Sequence, residues 1–434
     1  MAKIGVISTP VPGHMNPMLA LACELQERGH TVCFFALEDL RNSVESLGVG
    51  FVPLGLASHP PGSFNRSKAE LGALSGFAAI RFTLNAVHAT TEMICREAPA
   101  AIRKSGVELL IVDQMEPAGA SVAQFLGIPY VTVANALTLN REPGVPPALT
   151  PWSCQQGLLA RLRNRTGYRV GDLFFAPIIR TLNTHRRAWK LPEIRVSDET
   201  FSPVAQISQL VPGFDFPRRE LPPTFHYVGP IRKPAGASVP FPYPRLNGKP
   251  LVYASLGTLQ GGKFKIFELI AAACQNLDVQ LVITHGGGLT AEQCARLPGE
   301  PLVVSYAPQL ELLSRAALTI THAGLNTVLD SFSCGVPLVA MPITFEQPAI
   351  AARIRWSGGG EVLDLRRASS AKLRATIERV LGDSSYRTNA QRLRQTIAAA
   401  GGVRLAADLA LSAIHHHAAP KIEQAHRTLE AQLR

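Results

Sequence analysis

Cysteine is scarce in this chain: seven residues among 434, none of them in a C-x-x-C pair and none at metal-ligand spacing. That excludes a disulfide-built scaffold and points to reduced thiols in a cytoplasmic protein. Charge is sparse too, at 17%, beside 46% hydrophobic residues, which excludes a disordered chain. No apolar run approaches a bilayer span, and Met1-Ala-Lys-Ile4 opens into a strand pattern rather than a signal peptide. Acid is the scarcer sign, with 32 Asp and Glu against 43 Lys and Arg, for a formal net charge of +11. The arginines gather at 161–165, 180–187 and 387–404. No aromatic-basic interleaving and no nucleic-acid motif accompanies them, so nucleic acid is not expected as a partner. An anionic donor or a peripheral contact with an anionic membrane also suits a basic face. Solvated helix faces account for most of these residues.

The length suggests two to three domains with ample buried core. Short apolar strands at 4–8, 31–35, 51–53, 109–113 and 130–134 alternate with amphipathic stretches, which predicts a parallel, doubly wound α/β sheet. A turn over Thr9 to Pro17 is expected to precede an amphipathic helix from Met18 to Arg28, and long helical stretches are expected at about 69–104 and 152–189. A proline-rich span over 231–250 reads as a linker. A second α/β alternation starts at Leu251. The expected organisation is a first Rossmann-like domain over 1–230 and a second over 251–415. In open α/β sheets ligands sit at the carboxyl ends of strands, and His14, Asp113, Thr258 and His322 each follow a predicted strand.

One stretch is denser in chemistry than the rest: Tyr306-Ala-Pro-Gln309, Thr321-His322-Ala-Gly324-Leu-Asn326-Thr327, Asp330, Gly335-Val-Pro337 and Phe345-Glu346-Gln347-Pro348. Leu318 to Thr321 has the β-branched character of a buried strand. His322-Ala-Gly324 is small enough for close approach to the backbone. The helix predicted from Asn326 to Cys334 presents unpaired N–H groups and a positive dipole end, which suits a diphosphate. His322 at its lip adds a hydrogen bond or a charge. A lone His-x-Gly is more often an ordinary turn, and here it does not stand alone. In the first half, His14 within Gly13-His14-x-x-Pro17 is a candidate base, because imidazole titrates near neutrality. Asp113 is placed to orient it if the two meet in space. The plainer alternatives are a satisfied turn histidine and a helix-capping aspartate.

These spacings resemble the nucleotide-sugar signature of the GT-B glycosyltransferases of the plant UGT and bacterial macrolide-glycosyltransferase type. The resemblance implies two domains facing each other across a cleft, with a helical tail (416–434) packing back on the first. It implies His14 as general base with Asp113 beside it, and an inverting, metal-independent reaction, since the family needs no D-x-D motif and none is present. It places Thr258 and His322 on the donor phosphates, with Gly324, Asn326 and Thr327 at the same helix start. Gln309 falls near base and ribose. Asp330 stands in place of a ribose-binding glutamate, one methylene shorter. Glu346 and Gln347 correspond to the pair holding sugar hydroxyls, and Tyr306 to the aromatic stacked on the base. No permanently bound cofactor is implied; UDP-glucose or a related nucleotide-sugar is the donor co-substrate. His322 to Asp330, with Glu346 to Ile354, is most similar to the zeaxanthin (carotenoid) glucosyltransferases. A hydrophobic acceptor is therefore expected, and Phe64, Phe77, Phe82, Phe174 and Phe175 fall in the segments that would line it. A transferase for a macrolide, flavonoid or other aglycone, with a dTDP-sugar donor, is the neighbouring reading. A non-catalytic nucleotide-sugar-binding protein is the reading from another class.

Overall fold

In a computed structural model, residues 1–74, 76–232 and 239–414 are described; the side chains of 68, 72, 73, 76, 77, 79 and 80 are not. Seven strands form the first sheet: β1 Lys3–Ile7, β2 Thr31–Leu37, β3 Gly50–Leu54, β4 Leu109–Asp113, β5 Tyr130–Ala134, β6 Gln206–Ser208 and β7 Phe225–Tyr227. They lie in the order β3-β2-β1-β4-β5-β6-β7, every pairing parallel. Leu109-Leu-Ile-Val-Asp is buried at all five positions, as expected of a parallel strand covered by helices on both faces.

The second sheet holds β8 Leu251–Ser255, β9 Gln280–Thr284, β10 Leu302–Val304, β11 Ala316–Thr321, β12 Leu338–Ala340 and β13 Gly360–Val362. Its order is β10-β9-β8-β11-β12-β13, again wholly parallel. Both sheets thus carry the doubly wound order, and each reverses direction at one crevice: between β1 and β4 in the first, between β8 and β11 in the second. This is the two-domain GT-B architecture.

Three of the expected helices differ in their limits. The stretch foreseen at 69–104 is two helices, Ser63–Ala73 and Gly76–Ser105. The one foreseen at 152–189 runs Leu158–Ala188. The first helix begins at Pro12 rather than Met18; Pro at the first position is pre-set for helical φ. Pro17 sits inside that helix and has no N–H for the carbonyl of Gly13, four residues back.

The two domains share a core. Leu137, Leu210, Val211 and Phe214 of the first pack with Leu325, Val328, Leu329, Phe332 and Ile350 of the second. Beside them Asp215, 2% exposed, meets Arg353 Nε at 2.8 Å and Arg218 Nε at 3.1 Å, and accepts from Tyr227 at 2.9 Å. Arg353 also lies 4.3 Å over the Phe216 ring. The chain returns to its first domain at residues 402–414, where Val403, Ala406, Ala407, Ala410 and Ala413 join the core under β1, β2 and β4. Arg28 ties this helix down through Asp408 at 2.5 Å. The crossing therefore starts ahead of residue 416; residues 415–434, with His415-His-His417, lie outside the described residues. Ser384–Ile414 is apolar enough by composition to cross a membrane. Gly401 and Gly402, at φ +90° and +57°, break its helix, and its alanines face the first sheet.

Candidate active site

His14 stands on the first turn of helix Pro12–Glu27, and Asp113 ends the neighbouring strand β4. Although 99 residues apart in sequence, His14 Nδ1 and Asp113 Oδ2 are 2.6 Å from each other. Asp113 is fully buried and is further held by Met115 N–H at 2.9 Å, Asn135 Nδ2 at 3.1 Å and Ser8 Oγ at 3.3 Å. Burial would push this carboxyl up, but the His14 ring and these donors outweigh it and hold Asp113 below the usual carboxylate range. Burial would likewise lower His14; Asp113, with smaller help from Glu346, raises it instead. An imidazole so placed has Nδ1 committed to a carboxylate and Nε2 left for a substrate proton.

Glu116 lies just beyond, 2% exposed, with Oε2 lacking a partner. Burial, then the neighbouring Asp113 charge, pushes it to about 8, so it is mostly neutral at pH 7. The Thr9 hydroxyl beside it favours the charged carboxylate, but less strongly than burial opposes it.

On the opposing domain, His322 follows β11, and helix Leu325–Ser333 starts directly after Gly324 with no side-chain cap. Its first N–H groups are left for a ligand. The His322 ring is wedged between two glycines: a Cβ on Gly324 would sit 2.6 Å from it, and one on Gly257 3.0 Å. Ala323 accommodates the turn at φ +65°, a left-handed conformation that costs a non-glycine residue roughly 1–2 kcal/mol. Burial drives His322 down to about 4. The ring is therefore neutral at neutral pH before an anion is bound.

Asn326 joins the halves: its Nδ2 donates to the Gly13 carbonyl at 2.9 Å, the oxygen that Pro17 leaves free. Asp330 is engaged at both oxygens, by Arg232 Nε at 2.8 Å and Gln309 Nε2 at 2.6 Å. Gln309 in turn accepts from Tyr253 OH at 3.1 Å. A cavity of about 300 Å³ opens here, lined from the first domain by Asn16 and Leu19, from the linker by Ile231 and Arg232, and from the second by Gln309, Asn326 and Asp330. Tyr306 is 56% exposed, its hydroxyl donating to Gly286 O at 3.1 Å. Thr258 is half-buried after β8. Thr327 is buried in the first turn after His322. Glu346 is half-buried and is felt by His14. The Gln347 carbonyl oxygen accepts from Ile343 and Thr344 N–H at 2.8 and 2.9 Å, so only its NH₂ is left for a ligand. Of the five phenylalanines, Phe174 is 42% exposed, Phe64, Phe82 and Phe175 are half-buried, and the Phe77 side chain lies outside the described ones.

Sequence reasoning missed Arg232, Asn135, Ser8 and Glu116. Asn135 and Ser8 follow β5 and β1, so the strand-end rule applied more widely reaches them. Arg232 was hidden in the segment read as mere linker.

The described chain resembles known proteins over nearly its whole length. Residues 67–398 match the family model for UDP-glucoronosyl and UDP-glucosyl transferase. Zeaxanthin glucosyltransferase of Pantoea ananas is 38% identical over 94% of this chain and 95% of its own length. That of Pseudescherichia vulneris is 38% identical over 95% and 98%. Among solved structures, the calicheamicin glycosyltransferase superposes with a TM-score of 0.74 at 22% identity, covering 96% of this chain and 99% of that one.

Proposed function

The chain belongs to the UDP-glucoronosyl and UDP-glucosyl transferase family and is a glycosyltransferase; from that premise we propose that it moves glucose from UDP-glucose to a hydroxyl of a hydrophobic small molecule, a carotenoid such as zeaxanthin. The observation carrying the chemistry is the 2.6 Å contact of His14 Nδ1 with Asp113. In this reading His14 Nε2 takes the acceptor's hydroxyl proton as that oxygen bonds to the anomeric carbon. The bond from that carbon to the diphosphate breaks on the opposite face, so configuration inverts and UDP departs with the electron pair. Asp113 stabilises the imidazolium as it forms. The charge growing on the diphosphate meets the start of helix Leu325–Ser333 and the His322 N–H, without a divalent cation. Thr258 lies beside these phosphates, and Tyr306 offers its face to the base. Gln309 and Asp330 hold the ribose, and Glu346 and Gln347 the sugar hydroxyls. The choice of acceptor is supported by the 38% identity to two zeaxanthin glucosyltransferases.

Mass spectrometry of products from a panel of hydrophobic alcohols, offered UDP-glucose, UDP-galactose, UDP-N-acetylglucosamine and dTDP-glucose, tests this directly. A hexose adduct on zeaxanthin with UDP-glucose is expected, unchanged by EDTA. His14→Ala abolishes most turnover while retaining UDP affinity. Adducts only with dTDP-glucose, or only on polar aglycones, overturn the donor or the acceptor assignment respectively.

A further inference from the structure

Helix Leu158–Ala188 buries Ala160, Asn164, Ile178, Leu182 and Arg186. It lies against helix Gly76–Ser105, fixed there by Thr181 Oγ1 with His88 Nε2 at 2.7 Å and His185 Nε2 with Glu92 Oε2 at 2.9 Å. Its other side is unusual. Leu158, Leu159, Leu162 and Leu173 are 86%, 84%, 62% and 75% exposed, whereas soluble surfaces carry large apolar side chains singly. Leu158, Leu162, Arg165, Arg169 and Leu173 follow one another at steps of three or four residues, so leucine and arginine share one stripe. Arg161, Arg165, Arg169 and Arg180 are all exposed. The sole acid between 158 and 188 is Asp172, and Arg141 Nη1 holds it at 2.9 Å.

We propose that this outward face docks on the surface of an anionic lipid bilayer, the leucines entering the boundary between headgroups and acyl chains and the arginines pairing with lipid phosphates. Apolar and cationic side chains on one long helix, uncovered by the other described residues, are what such an interface selects. A symmetric contact with a second copy fits worse, because it would set the arginines against themselves. The inference rests on the reading above that the acceptor is hydrophobic, since such a molecule partitions into a bilayer.

Vesicle flotation of the full chain, with neither donor nor acceptor present, separates this inference from the catalytic one. Binding to phosphatidylcholine vesicles containing phosphatidylglycerol, little binding to phosphatidylcholine alone, and release by high salt are expected. The triple variant Leu158→Ser, Leu162→Ser, Leu173→Ser should lose roughly ten-fold or more of that binding. Its thermal midpoint and its turnover of zeaxanthin dispersed in detergent should stay unchanged. Replacing Arg161, Arg165 and Arg169 with Gln should remove the preference for the anionic lipid. The proposal is overturned if the parent floats with neither vesicle, or if the leucine variant binds as the parent does. It is equally overturned if light scattering shows a dimer that the leucine variant dissolves. Transfer to detergent-dispersed zeaxanthin without flotation would sink the docking surface alone; flotation without that transfer would sink the acceptor reading alone.

Discussion

Replacing Asp113 with Asn removes the charge that faces the base at unchanged side-chain size. It also turns one acceptor oxygen into an NH₂, so either Met115 on one side or Ser8, Asn135 and His14 on the other lose the oxygen they face. With the charge goes the attraction between the carboxylate and the imidazolium that forms as the acceptor gives up its proton. With charge centres about 4 Å apart and an effective dielectric of about 20, that attraction is about 4 kcal/mol. A loss of that size lowers kcat roughly a thousand-fold. The donor KM should hold, because Asp113 is remote from the diphosphate pocket. The pH profile gives an independent readout. Burial alone would lower His14, and Asp113 is what raises it, so in the variant the acidic limb of kcat/KM moves to lower pH. Steady-state kinetics across pH, with UDP affinity and thermal unfolding as controls for folding, measure both effects. A variant that keeps a tenth of wild-type kcat, or whose acidic limb does not move, refutes the role given to this pair.

His322→Ala should raise the donor KM and weaken UDP binding measured by calorimetry. Because His322 is expected to donate a hydrogen bond, His322→Gln should recover part of the loss, and equal affinity for all three proteins would reject the assignment. Glu116 is protonated in the fold to about pH 8 but ionises near the ordinary carboxylate value when unfolded, so its contribution to stability is present at low pH and lost as pH rises between those values. Glu116→Gln should therefore raise the thermal midpoint relative to wild type progressively from pH 5 to pH 9; parallel curves would count against it. Asp215→Ala leaves Arg353 buried and uncompensated between the domains, at roughly 3–5 kcal/mol; chemical denaturation showing a loss under about 1 kcal/mol would mean water enters the site freely.

Much of the fold was readable because parallel strands buried on both faces announce themselves as apolar runs, and the glycine-rich turns after β8 and β11 mark where the backbone must come close. The alternation located both crevices and the residues at their edges. Helix limits were less legible. Pro17 looked like a breaker when it sits within the first helix, and the helix Ser63–Ala73 ends at Leu74 with no proline to mark it. What no local pattern holds is pairing at a distance. That Asp215 meets Arg353, or that Arg232 reaches Asp330, depends on how the domains meet. The Asp113–His14 contact follows only once β1 and β4 are known to be neighbours. Residues 402–414 read as an ordinary alanine-rich helix, and nothing in them says which sheet they cover.

Pro17 gives the interdomain contact an unexpected sensitivity. An alanine at that position would restore the amide and let Gly13 close its bond inside the helix, a local gain of helical order. The same repair would make Asn326 share its acceptor with the helix at the lip of the crevice. A stabilising substitution at Pro17 should therefore loosen closure around the donor, so firmness in one element and tightness of the clamp trade against each other through a single carbonyl oxygen.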